Sequence, residues 1–323
     1  MPSGGALGTD DFMNALNTDS VPPRPPANDQ RPLVAVMWMI LSGLCFISLT
    51  ATVKHLGTSI PAAESAFLRY LLGLLFVLPM LVTLRHEKLS QAVLRLFVGR
   101  GAMHTFAVLL WFYAMTRISL AEITAMGYLQ PIFVSVGAAL FLGEVLRARR
   151  VLAIVAAIVG ALIVLRPGLR EIDNGHLAML AAAMFLGTSN LIAKRLTAFA
   201  SPSMVVAMMG ITVTVGLAPM AAAVWVPVTQ VQLAWLMLAA TFATMGHYAM
   251  TFAFAAAPIT VIQPVTALQL VWSVTLGAVA FGEPVDAYVI AGGSLIIAAV
   301  VFIALREHQL RRAQARSAAA LSQ

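Results

Sequence analysis

Charge is scarce in this chain. Only 10% of its 323 residues are Asp, Glu, Lys or Arg, against roughly 25% in ordinary soluble domains, while 60% are hydrophobic. That balance excludes a soluble globular enzyme. Cysteine is also nearly absent: Cys45 stands alone, so one chain can build neither a disulfide nor a thiolate metal site. The motifs that would carry enzyme chemistry are missing, with no Walker A loop, no HExxH helix, no Cys/His cluster and no G-x-S-x-G elbow. ATP is therefore not expected to drive this chain directly, and neither cofactor nor metal is expected. Acid is in deficit, giving a formal charge of +7. In so apolar a chain, basic residues flanking membrane spans account for that excess, and no nucleic-acid partner is inferred. No basic segment followed by a short apolar core and a cleavage site opens the sequence, so the first apolar block reads as a retained span.

What is present is long apolar blocks. They run to about twenty residues, the length a helix needs to cross roughly 30 Å of hydrocarbon, and lack the short alternation of a membrane barrel. Breaking the chain at charged and Pro/Gly-rich punctuation gives ten predicted spans, near 33–53, 65–84, 101–116, 121–142, 151–165, 176–193, 203–225, 232–254, 259–281 and 287–305. Residues 1–31, with Asp10, Asp11, Asp19, Asp29 and a Pro-rich run at 21–26, read as a disordered tail. An even number of spans leaves both termini on one side. Placing them in the cytoplasm puts fifteen basic residues there, among them Arg95, Arg100, Lys194 and Arg195, and only Lys54, Arg117, Arg166 and Arg170 outside. The positive-inside rule selects that orientation.

The chain also repeats itself. Leu129-Gln130 through Gly143-Glu144 aligns without a gap on Leu268-Gln269 through Gly282-Glu283 at a shift of 139, and Lys54-His55-Leu56 aligns on Lys194-Arg195-Leu196 at a shift of 140. Each half holds five spans, an odd number, so the second crosses the membrane in the opposite sense. Inverted repeats of this kind underlie alternating access around a midplane site.

Polar residues inside such spans are costly and need a partner, a cavity or a function. Gln130 and Gln269 each fall about halfway along a span, and Gln263, Thr266 and Gln269 form a polar stripe at three-residue spacing. Together with Asn190 and His247 they are candidate substrate ligands, the alternative being hydrogen bonds that glue helices together. Tyr128, Trp111 and Trp272 suit stacking on a flat substrate or interfacial anchoring. Glu64, Arg69, Glu122 and His104 are candidates for coupling or gating. Glu64 and Arg69 are about 140° apart on their helix and do not form a same-face pair. Glu122, Met126 and Gln130 recur on one helical face, although a first-turn acid such as Glu122 also suits the helix dipole.

The segment Ser119-Leu120-Ala121-Glu122-Ile123-Thr124-Ala125, leading to Gln130-Pro131 and ending Phe141-Leu142-Gly143-Glu144, resembles the signature of EamA-type members of the drug/metabolite transporter superfamily. Phe67-Leu68-Arg69-Tyr70 is similar to that family's second-helix pattern, and Gln263-Pro264 with Phe281-Gly282-Glu283 repeats the signature more weakly. The resemblance implies a ten-helix secondary carrier with repeats over 32–166 and 175–305 and a central cavity holding Gln130, Asn190, His247 and Gln269; residues 306–323, outside it, read as a basic cytoplasmic tail. It implies a cargo among small polar or zwitterionic metabolites, amino-acid-like or a cofactor such as riboflavin or S-adenosylmethionine, carried across a bacterial inner membrane. The competing classes are a membrane-embedded enzyme and a scaffold without flux. Gly292-Gly293 and Ala298-Ala299 suit either close packing within the chain or a homodimer.

Overall fold

The computed structural model describes residues 31–84, 89–142, 148–169, 171–257 and 259–321; the tail at 1–30, the Gly143-Glu144 pair and the Gln263 side chain lie outside the described residues. The first half is built from α1 (Pro32–Leu56), α2 (Ala62–Leu84), α3 (Gln91–Met115), α4 (Leu120–Gly127), α5 (Gln130–Leu142) and α6 (Ala148–Leu165). The second is built from α7 (Asn174–Leu196), α8 (Pro202–Ala222), α9 (Gln230–Ala256), α10 (Ile259–Ile262), a 3-10 turn (Gln263–Ala267), α11 (Leu268–Phe281) and α12 (Ala287–Leu321). Eight of the described helical segments are long and apolar enough to cross a membrane; the second and fourth spans make up the ten. Polar caps fix several helix starts. Ser90, Ser119, Asp173, Ser201 and Thr229 each accept a backbone N–H from the first turn that follows, satisfying a donor that the helix itself leaves unpaired.

Helix αn of one half corresponds to αn+6 of the other, and the packing respects this. The broadest contacts join the halves: α1 lies on α9 as α3 lies on α7, α3 meets α8 as α2 meets α9, and α5 meets α7 as α11 meets α1. The α2–α8 and α6–α12 pairs map onto themselves. The repeats are thus intertwined around one core, which includes Leu49, Val108, Phe112, Met126, Leu217 and Ile296. Outward, Leu152, Val155, Ile158, Val159 and Leu162 of α6 remain exposed, the surface that lipid covers. Gly160 and Gly292 bring α6 and α12 together: a Cβ on Gly160 would lie 2.7 Å from the Gly292 carbonyl oxygen, and one on Gly292 would lie 2.5 Å from that of Gly160. Gly292 and Gly293 therefore serve packing within the chain.

Three boundaries differ from the sequence reading. The third span starts at Gln91 instead of 101, because Ser90 caps it there and the exposed Arg95 does not stop it. Arg100, counted above with the cytoplasmic flank, is consequently inside the bundle and only 1% exposed. Residues 306–321 are helical and continue α12 beyond its apolar stretch. The fourth and ninth spans are discontinuous. Pro131 has no N–H to give the Gly127 carbonyl and its ring crowds that turn, so α4 ends in a turn at Tyr128-Leu129 and α5 restarts at Gln130. Pro264 accompanies the tightening to a 3-10 turn over Gln263–Ala267 before α11 starts at Leu268. Glu122 and Gln130 therefore sit on different helices, and their shared face is interrupted.

Candidate functional site

The two restarts are equivalent under the repeat. Gln130 opens α5 and Gln269 is the second residue of α11, each about 15 Å from either end of its span. Broken helices at mid-depth expose backbone groups that continuous helices consume, and carriers build substrate sites on them. Each glutamine faces the first helix of the opposite half. Gln130 accepts a hydrogen bond from Asn190 Nδ2 at 3.0 Å, and a Cβ on the neighbouring Gly187 would lie 2.6 Å from the Gln130 carbonyl oxygen. On the other side Gln269 and Trp272 press on Gly43 of α1, where a Cβ would lie 2.9 Å from Gln269 Nε2 and 3.0 Å from Trp272 Cζ3. Tyr128 joins the two breaks by donating its hydroxyl to the Thr266 carbonyl at 2.7 Å. Trp111 packs on the main core beside Phe112, apart from this pair of amides among the described contacts.

A second polar cluster runs through the same depth. His104 and His247, alone in their sequence neighbourhoods, have ring centroids 5.3 Å apart. His104 Nδ1 is 2.9 Å from Ser189 Oγ, and Ser189 directly precedes Asn190, so this cluster adjoins the amide pair through α7. The Tyr70 ring lies 6.3 Å from His104, and Phe46 of α1 lies edge-on to His247 at 4.9 Å. Arg69 stacks its guanidinium on Tyr70 at 3.5 Å. Arg100, one turn before His104, donates to the Val205 carbonyl at 2.8 Å.

Polar contacts join helices and loops at both ends of the bundle. At the α1 C-terminus, Lys54 Nζ lies 2.8 Å from Glu283 Oε1 and donates to the Ile118 carbonyl at 2.7 Å. Glu283 also accepts from the Leu120 N–H at 3.1 Å, capping α4. Gly282 makes this possible: it takes φ 62°, the left-handed conformation that turns the chain after α11 and aims Glu283 back across α4. At the opposite end Lys194 donates to the carbonyls of Phe254 and Ala257. Glu122 closes a capping box with Ser119 and approaches His176 Nε2 at 3.4 Å. Glu64 is fully buried and accepts from the Val226 N–H at 2.9 Å, holding the loop between α8 and α9; its Oε1 has no partner among the described residues. The two acids considered for coupling thus both fasten loops at the Lys54 end.

The EamA-like transporter family profile matches residues 33–166 and 173–305. The chain belongs to that family. A riboflavin transporter of Rhizobium johnstonii is 30% identical over 310 residues, covering 93% of this chain and 99% of its own length. A pseudopaline exporter of Pseudomonas aeruginosa is 25% identical and covers 82% of this chain and 94% of its own. An S-adenosylmethionine uptake transporter of Rickettsia bellii is 24% identical, with 85% and 94% covered. One solved crystal structure, 18% identical, superposes with a TM-score of 0.58 over 85% of this chain and 98% of its own, a likeness of fold alone. This EamA-like chain is a multi-pass membrane transporter of small metabolites, not an enzyme.

Four participants escaped the sequence reading. Arg100 hid among flanking charges and Tyr70 within a family motif. Ser189 carried no signal. Glu283 was noted as a motif end, but its bond to Lys54 joins residues 229 positions apart, a pairing that periodicity does not report.

Proposed function

We propose that this chain is a secondary carrier of a bacterial inner membrane, with both termini cytoplasmic, that moves a polar or zwitterionic metabolite by alternating access. The observation that carries the reading is the pair of mid-span helix restarts, Gln130 against α7 and Gln269 against α1. The side-chain amides supply both donors and acceptors to a polar cargo, and Trp272 offers a flat apolar surface beside Gln269. Exchange between the halves supplies the two access states: the Lys54 end opens as the Lys194 end closes.

Riboflavin is the first cargo to test, because the Rhizobium relative spans almost all of this chain and bears that name. Its planar ring and polar edge suit an amide-and-indole site. The test is flux into and out of liposomes holding the purified protein, measured for riboflavin, S-adenosylmethionine and amino acids. Saturable flux of one class supports the reading; folded protein that moves none of them overturns it.

A further inference from the structure

Two arginines are buried at the centre of the bundle without a carboxylate. Arg69 is 3% exposed and Arg100 is 1% exposed, and neither makes an ion pair among the described residues. Arg69 Nε, Arg100 Nε and His247 Nδ1 are all buried with no hydrogen-bond partner among the described residues. Arg100 spends one nitrogen on the Val205 carbonyl and another on Met209 Sδ at 3.1 Å, while Arg69 has the faces of Tyr70 at 3.5 Å and Phe112 at 5.8 Å. Folding alone does not account for this. A buried cation costs free energy unless it is paired, and a guanidinium offers five donors in a fork matched to oxyanions. The acids that would neutralise the arginines are engaged elsewhere: Glu64 holds the Val226 amide and Glu122 caps α4.

We infer that Arg69, Arg100, Tyr70 and His247 form an oxyanion subsite, which receives a carboxylate or phosphate of the cargo when the bundle opens. This rests on the carrier reading above and names its substrate class. The position fits, because the cluster adjoins Asn190 through Ser189 and His104, and adjoins the helix facing Gln269 through His247 and Phe46. One cargo can therefore place a polar body on the amides and its anionic group on the arginines. In the ligand-free form the cations stack on aromatic rings, an arrangement that an entering anion replaces with charge-assisted hydrogen bonds.

The test uses matched ligand pairs on the purified full chain: riboflavin against riboflavin 5′-phosphate, and nicotinamide against nicotinate. Thermal stabilisation is compared for the wild type, Arg69→Gln and Arg100→Gln. The inference expects the anionic member of one pair to stabilise the wild type at roughly tenfold lower concentration, with the preference lost in either variant. Equal or better stabilisation by the neutral members overturns it, as does a preference that survives both substitutions. Where no pair stabilises the protein, the ligand-free melting temperature decides. Arg69→Gln raises it if the cation awaits a ligand, and a fall assigns Arg69 to the structure and overturns the subsite. Saturable liposome flux of neutral riboflavin without anion preference sinks the subsite alone and leaves the carrier reading standing.

Discussion

Lys54 and Lys194 stand 140 residues apart, at equivalent positions of the two repeats, and make the same contact at opposite ends of the bundle. Lys54 donates to the carbonyl of Ile118 just beyond α3, and Lys194 donates to that of Ala257 just beyond α9, at 2.7 and 3.2 Å. Each lysine therefore ties the last turn of its half's first helix to the far end of a third-position helix. The Lys54 contact adds Glu283, which links the same point to α4.

Loosening that end shifts exposure. In a Cys45→Ser background carrying Ile118→Cys, the added substitution Glu283→Gln increases maleimide labelling about fivefold, consistent with about 1 kcal/mol for a partly buried pair. Labelling that does not change shows that Glu283 caps α4 without latching the end.

Close approach of α6 and α12 depends on the absence of side chains. Gly292→Leu puts atoms where the Gly160 carbonyl stands and costs about 1–3 kcal/mol, read as a lower melting temperature in detergent. Gly137→Ala is the control, since a Cβ there meets nothing within 4 Å. Equal melting temperatures for the two variants contradict the packing described.

Gly43 tests one half of the proposed site without touching an amide. Gly43→Val drives Gln269 and Trp272 from their places, so cargo flux falls by an order of magnitude or more while the protein remains folded. Unimpaired flux removes Gln269 from the site.

Glu122 is assigned a structural duty. Because its carboxylate receives the Ser119 N–H at 2.8 Å and hydroxyl at 3.0 Å, Glu122→Ala costs about 1 kcal/mol of thermal stability. Glu122→Gln keeps the acceptor oxygen and retains most of that stability along with substrate flux. Loss of pH-driven flux in Glu122→Gln, with counterflow intact, restores the coupling role.

The span count, the repeat and its parity were legible because each depends on long apolar runs and on register, and both are properties of sequence alone. Pro131 was visible too, but a proline in a membrane helix is compatible with a kink or with a restart, and only the neighbouring helices select between them. Arg100 was misassigned for a related reason. Charge usually ends a span, yet here the Ser90 cap sets the helix start ten residues earlier and α8 supplies a carbonyl to the guanidinium. The meeting of His104 with His247 depends on side chains of α3 and α9 reaching each other across the repeat interface, so neither sequence neighbourhood signals it.

The most direct measurement of the central claim is substrate counterflow in liposomes, comparing the wild type with Gln130→Leu and Gln269→Leu after matched reconstitution and melting controls. Saturable counterflow is expected in the wild type and its loss in both variants, because each removes an amide at one of two equivalent helix restarts. Counterflow undiminished in both variants contradicts it and moves the cargo site away from the breaks.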